Sequence, residues 1–230
     1  MPEPKSDATE TGKPRRRQAR GERRIAQLLE AAAQVFCTTG YTAASTNSIA
    51  REAGVSPGTL YQFFPNKEAI AIELGDQLLA RWRATYGQAF LPAHLELPLD
   101  QLLDAVLDPL IQFNYENPAF AVFMHGSDIP GRVTQEHEAL HSSMLARVEG
   151  ILGGYLPEAP EAEITRVAQT TFTVFKAGLD LILATEEPDQ RDAYIAEIKT
   201  VLFRYLHPLV GDLRQDSGTG HRPGVHLHTP

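Results

Sequence analysis

From Gly21 onward, apolar residues recur at spacings of three and four. Ile25, Leu28, Leu29, Ala32, Val35 and Phe36 share one face, which predicts an amphipathic helix. Gly40 should end it in the left-handed conformation, with Tyr41 folding back on the last turn. A short second helix is expected after the Ser45-Thr46 pair, whose hydroxyls can satisfy free N–H groups, running to Ala53 with Ile49, Ala50 and Ala53 inward. Gly54 then supplies a tight turn and Val55 a buried plug. Ser56 caps a third helix over 57–63, with Pro57 in its first turn and Leu60 and Phe64 inward. Pro65 stops that helix and Asn66 caps the next. Beyond it the pattern predicts long amphipathic helices at 66–88, 98–115, 132–156, 160–185 and 188–210, with a short one at 117–126. Prolines at 92, 98, 118, 130, 157, 160 and 188 mark the breaks. No stretch alternates with period two for long enough to be a strand, so the fold is read as all-α.

Two short helices joined by Ala53-Gly54-Val55-Ser56 fit a helix-turn-helix over about 46–63. Small residues at 50 and 53 permit a close crossing, and Gly54 makes the bend. The second helix can then enter the major groove of double-stranded DNA, which admits one α-helix.

Charge sharpens this picture. The net charge of −8 hides an asymmetry: residues 1–67 hold 10 Lys/Arg against 6 Asp/Glu, and residues 68–230 hold 11 against 23. Lys13 to Arg24 alone carry seven basic residues and one acid. A basic segment joined to an acidic body suits contact with a polyanion, although a solvated tail reads the same way. Hydrophobic residues make up 43% of the chain, enough for a real core, and no apolar run reaches the ~18 residues of a membrane span. No signal peptide is expected. The single cysteine, Cys37, is read as a small core residue, and the chain as cytoplasmic.

The stretch from Thr46 to Glu68, TNSIAREAGVSPGTLYQFFPNKE, resembles the DNA-binding signature of the tetracycline-repressor (TetR) family. LLEAAAQVF at 28–36 and GYT at 40–42 are similar to the family's first helix and its exit. The likeness covers about residues 20–70. Residues 1–19, polar, charged and without an apolar period, are read as a basic flexible arm, and the likeness implies a three-helix, helix-turn-helix DNA-binding domain at 20–68. A larger helical ligand-binding and dimerisation domain would occupy 69–210; residues 211–230, rich in Gly and Pro with few apolar residues, are read as a disordered tail. The likeness also implies a ligand-responsive transcriptional regulator, a repressor released from a pseudo-palindromic operator by a small-molecule effector. Carried onto this chain, Ser56, Pro57, Gly58 and Thr59 lie where the family approaches bases, Gly58 letting the backbone come close. Pro57 stands where lysine is common, so a thymine-methyl contact replaces a hydrogen bond there. Tyr61 and Gln62 face the groove walls, and Thr46 and Lys67 should meet phosphates. Arg15, Arg16 and Arg17 are candidates for the neighbouring minor groove.

The acidic C-terminal body must do something other than bind DNA. Trp82, Tyr86, Phe113, Phe120, Phe123, Met124, His137, His141, Met144, Phe172 and Phe175 are candidates to line an apolar cavity, though most such residues serve as core. The last two helices carry wide apolar stripes and suit a homodimer built as a four-helix bundle, with Gly178 allowing close approach. The same stripes could instead pack within one subunit.

His137-Glu138-Ala139-Leu140-His141 is a literal H-E-x-x-H, the helical arrangement of zinc-dependent hydrolases. No third ligand stands at a family spacing. The hydrolase is therefore the alternative reading, and no enzyme activity, metal or cofactor is expected.

Overall fold

The apolar spacing resolves into nine helices among the described residues, 12–125 and 131–210 of this computed structural model. Side chains at 12–17, 92, 95, 125 and 131–137 are not described. The helices are α1 (Gly12–Ala43), α2 (Thr46–Glu52), α3 (Pro57–Tyr61), α4 (Lys67–Ala89), α5 (Leu99–Glu116), α6 (Pro118–His125), α7 (Gly131–Tyr155), α8 (Glu161–Leu183) and α9 (Pro188–Val210). A 3-10 turn at Pro92–Glu96 precedes α5. There is no strand among the described residues. Helix α1 begins at Gly12, so residues 12–19, expected in the flexible arm, form its first turns. Gly40 has the expected positive φ of 74°, but its ψ of 163° is extended. It kinks the chain between two helical stretches instead of closing a left-handed cap.

The described residues separate into two compact units. The first runs to Trp82 and takes in 116–138; the second comprises 83–115 and the residues after Glu138. The sequence placed the domain boundary at 68/69, whereas the division falls inside α4 and assigns α6 to the first unit. Aromatic packing is the reason. Trp82 stacks on Phe120 with ring centroids 5.0 Å apart, and Phe123 meets the edge of Phe36 at 5.9 Å. With Leu28, Ala32 and Ile70 at 0% exposure, these rings form the first core. Cys37, expected inside, is exposed.

The second unit is held by α8 against α9. A Cβ on Gly178 would lie 2.6 Å from Ile198 Cδ1, so the backbones approach where a side chain is absent. That contact lies within one chain, not between subunits. Ile182 and Leu202 are buried, while Leu181 and Val201 on the same helices are 44% and 45% exposed. The stripes expected for dimerisation thus divide into an internal and an outward part. Helix α5 is tied in by the Tyr115 hydroxyl, which donates to the Ile182 carbonyl (3.0 Å). Lys199 on α9 pairs with Asp104 (2.7 Å) and Asp108 (2.5 Å).

Candidate nucleic-acid interface

Helix α2 starts at a reciprocal cap. The Ser45 hydroxyl accepts the Ser48 N–H (3.0 Å), and the Ser48 hydroxyl accepts the Ser45 N–H (3.0 Å). Ile49, Ala50 and Ala53 are buried, as their spacing required. Gly54, at φ 64°, turns the chain. The Gln27 side-chain amide donates to the Ala53 carbonyl at 2.6 Å, pinning this turn to α1. Sequence reasoning missed Gln27. It is exposed and polar, and only its 26-residue reach across the fold reveals its role.

Ser56 is the N-cap of α3: its Oγ accepts the Thr59 N–H (3.1 Å) and lies 2.9 Å from Thr59 Oγ1. Both hydroxyls thus hold the helix start, while one of the two O–H donors stays available to a partner outside the chain. Leu60 is wholly buried and Phe64 nearly so, which fixes the inward face. The outward edge consists of Pro57, Gly58, Tyr61 and Gln62, all exposed, with Tyr61 at 53%. A Cβ at Gly58 would meet only Ser56 Oγ, at an ordinary 3.8 Å, and its φ is not positive. Nothing inside the protein requires glycine there.

The Tyr61 hydroxyl lies 2.9 Å from Thr46 Oγ1, joining the start of α2 to the end of α3. The structure thus brings together two of the residues expected at the groove walls and phosphates. Lys67 is placed differently from expectation. Its ammonium donates to the Tyr41 (2.7 Å) and Thr42 (3.1 Å) carbonyls and sits 4.4 Å from the Tyr41 ring centroid. Two of its three donors brace the exit of α1, so its first role is to position α4. Burial, and secondarily the Glu68 carboxylate, raise the Tyr41 phenol above its ordinary pKa, keeping the ring neutral beneath that cation. Arg15, Arg16 and Arg17 lie on α1, but their side chains are outside the described residues.

The ligand candidates divide between the units. Tyr86, Met144, Phe172 and Phe175 line one cavity in the second unit. Trp82, Phe120, Phe123 and Met124 belong to the first unit, where the three rings are core, and do not reach it. Phe113 is buried in the second unit but lines no part of the cavity. His141 makes a T-shaped contact with Phe172, centroids 4.8 Å apart, but does not line the cavity. The His137 side chain is outside the described residues. Leucines on α5 and α9, which periodicity marks only as core, complete the lining.

Comparisons with known proteins agree with this geometry. Residues 28–74 match the family described as "Bacterial regulatory proteins, tetR family", and residues 97–210 match "Tetracyclin repressor-like, C-terminal domain". Together these span 161 of 230 residues. The HTH-type transcriptional regulator YhgD of Bacillus subtilis is 27% identical over 168 residues, covering 70% of this chain and 83% of that protein. EthR of Mycolicibacterium smegmatis is 39% identical over 85 residues, which is 36% of this chain and 39% of that relative. A TetR-like transcriptional regulator from Rhodococcus sp. RHA1 has the same fold, with TM-score 0.63 and 17% identity over 80% of this chain and 95% of that one.

Proposed function

The chain belongs to the tetR family of bacterial regulatory proteins, and on that premise we propose that it is a homodimeric repressor released from a pseudo-palindromic operator by a small molecule. It is a DNA-binding transcriptional regulator. The hydrolase alternative finds no support in the comparisons. The observation that carries the DNA-binding geometry is the outward edge of α3. That helix is capped at Ser56, seated by buried Leu60, and presents Pro57, Gly58, Tyr61 and Gln62 to solvent. In this reading Pro57 and Gly58 approach base edges. Tyr61, steadied by Thr46, reaches a phosphate, and Gln62 a phosphate or an adenine. Arg15, Arg16 and Arg17 extend the contact into a minor groove, and Lys67 helps chiefly by holding α4 in place.

One recognition helix reads too few base pairs, so two copies on half-sites about a turn apart are needed. The outward residues Leu181 and Val201 support pairing through α8 and α9. The effector would bind in the second unit. Helix α4 is the lever by chain connectivity: its first turn holds Lys67, its last turn Tyr86, and Phe90 follows it directly. A ligand that favours one setting of α4 shifts the population away from the DNA-competent state.

The test is selection of duplexes from a random pool by the purified protein, followed by fluorescence anisotropy on the enriched sequence. Two-fold symmetric sites bound at two chains per duplex are expected. Failure to enrich any sequence at low ionic strength would remove the reading.

A further inference from the structure

The cavity in the second unit has a volume of about 100 Å³, and no polar atom of its wall faces it. Its lining is drawn from α4, α5, α7, α8 and α9 and holds no Lys, Arg, His, Asp or Glu. The hydroxyl protons of Tyr86 and Thr171 are directed away from the cavity, to backbone carbonyls. The Tyr86 hydroxyl donates to the Met144 carbonyl (3.3 Å), and the Thr171 hydroxyl donates to the Val167 carbonyl (2.9 Å). Arg147, a basic residue on α7 near the site, donates to the Phe90 carbonyl (2.8 Å) and is not in the wall. Burial also pushes the Tyr86 phenol up to about 12, partly offset by Arg147, so it presents no charge.

From this we propose that the effector is uncharged, slender and largely hydrocarbon: an alkyl chain, with any polar group left at the mouth. This deepens the assignment of the second unit as the effector domain and rests on it. Two physical facts select the class. A carboxylate or ammonium brought against this wall finds no counter-charge and no polar atom facing it, and an unpaired charge cannot be buried cheaply. A cavity near 100 Å³ is smaller than the ~150 Å³ that accepts benzene in a hydrocarbon-lined site, and far below the ~300–1,000 Å³ of drug-sized pockets. A fused polycycle would need several helices to part. A thin chain needs only side-chain movement, and Met144, unbranched and three-torsioned, is the wall residue best able to yield.

The test uses the full-length dimer and three probes of equal chain length at pH 8: 1-octanol, octanoate and octylammonium. Binding is read by titration calorimetry and release of the selected duplex by anisotropy. Octanol should bind, and the two ions should bind at least about a hundredfold more weakly. Val106→Phe, which puts a ring into the cavity from α5, should weaken octanol binding at least about tenfold while retaining operator binding. If that variant does not fold, the comparison of neutral and charged probes on the unaltered protein still decides. Equal or tighter binding of either ion, or no binding of any probe by protein that still binds its operator, overturns the proposal. Octanol binding that leaves the duplex bound upholds the ligand class and removes the effector role instead.

Discussion

A methyl group at Gly58 should separate stability from DNA affinity. In the free protein an added Cβ meets only Ser56 Oγ, at 3.8 Å, and the backbone φ is not positive, so alanine fits without strain. Alanine also restricts the unfolded chain and favours the helix, a gain of about 0.4–1 kcal/mol. The low end applies, because α3 is five residues long. For a chain of this length the melting temperature should rise by about 1–2 °C. On DNA the sign reverses. If the backbone at Gly58 lies against base edges, the methyl takes the space of the closest approach. Displacing a base contact costs about 1–3 kcal/mol, roughly 5–150-fold per half-site. Thermal melts at fixed protein concentration and anisotropy on the selected duplex measure the two quantities side by side. Unchanged affinity would mean that the backbone at Gly58 stands away from the bases. A lowered melting temperature would mean that the fold, not the DNA, requires glycine.

Lys67→Met removes two hydrogen bonds from the ammonium and a cation–π contact. It should cost about 1–3 kcal/mol in urea unfolding, with little change in the salt slope of DNA binding; a slope reduced by about one with stability intact would make Lys67 a phosphate ligand after all. Gly178→Ala places a Cβ within 3 Å of three Ile198 side-chain atoms, so about 1 kcal/mol of helix propensity is set against 1–3 kcal/mol of overpacking. The single variant should be less stable than wild type, and the same change should become stabilising in an Ile198→Ala background; additive effects would contradict the packing. Because burial raises the Tyr86 phenol from 10 to about 12, the unfolded chain loses that proton first as pH rises. The associated stability is intact below pH 10 and lost between about 10 and 12, so Tyr86→Phe should show a shallower alkaline fall in melting temperature. Leu181→Glu with Val201→Glu should yield monomers by sedimentation and abolish operator binding without unfolding the chain.

What the chain declares locally was legible: Ser45, Ser56 and Asn66 cap where expected, and Ile49, Ala50, Ala53 and Leu60 face inward. These follow from periodicity and from the chemistry of helix ends, which act within a few residues. Contacts between distant residues were not legible. Lys67 reads as a surface cation until its reach to Tyr41 is known, and nothing near Gln27 announces the Ala53 carbonyl. The aromatic candidates failed for the same reason. Trp82 and Tyr86 are four residues apart on one helix, yet Trp82 stacks on Phe120 in the first core while Tyr86 lines the cavity in the second unit. An aromatic ring carries the same hydrophobic area in either setting, so composition cannot divide them.

The small cavity constrains how any effector can work. A ligand shifts an equilibrium only through a difference in its affinity for the two states. One that fits the existing 100 Å³ would favour the present setting of Tyr86 and Phe90, and would release nothing where that setting is the one that holds DNA. A molecule slightly too large must move wall residues, and two of those at the end of α4 are tied to α7: Tyr86, in its last turn, through the Met144 carbonyl, and Phe90, just beyond it, through Arg147. Opening either tie costs about 0.5–1.5 kcal/mol for a neutral hydrogen bond, and more when the donor is charged. A ligand must supply that from buried hydrocarbon at about 0.8 kcal/mol per methylene, so two or three methylenes beyond the fitted length suffice. Along a series of 1-alkanols, binding should therefore begin at shorter chains than duplex release, with release appearing two or three carbons later. Coincident thresholds would show that these ties are not what the effector must break.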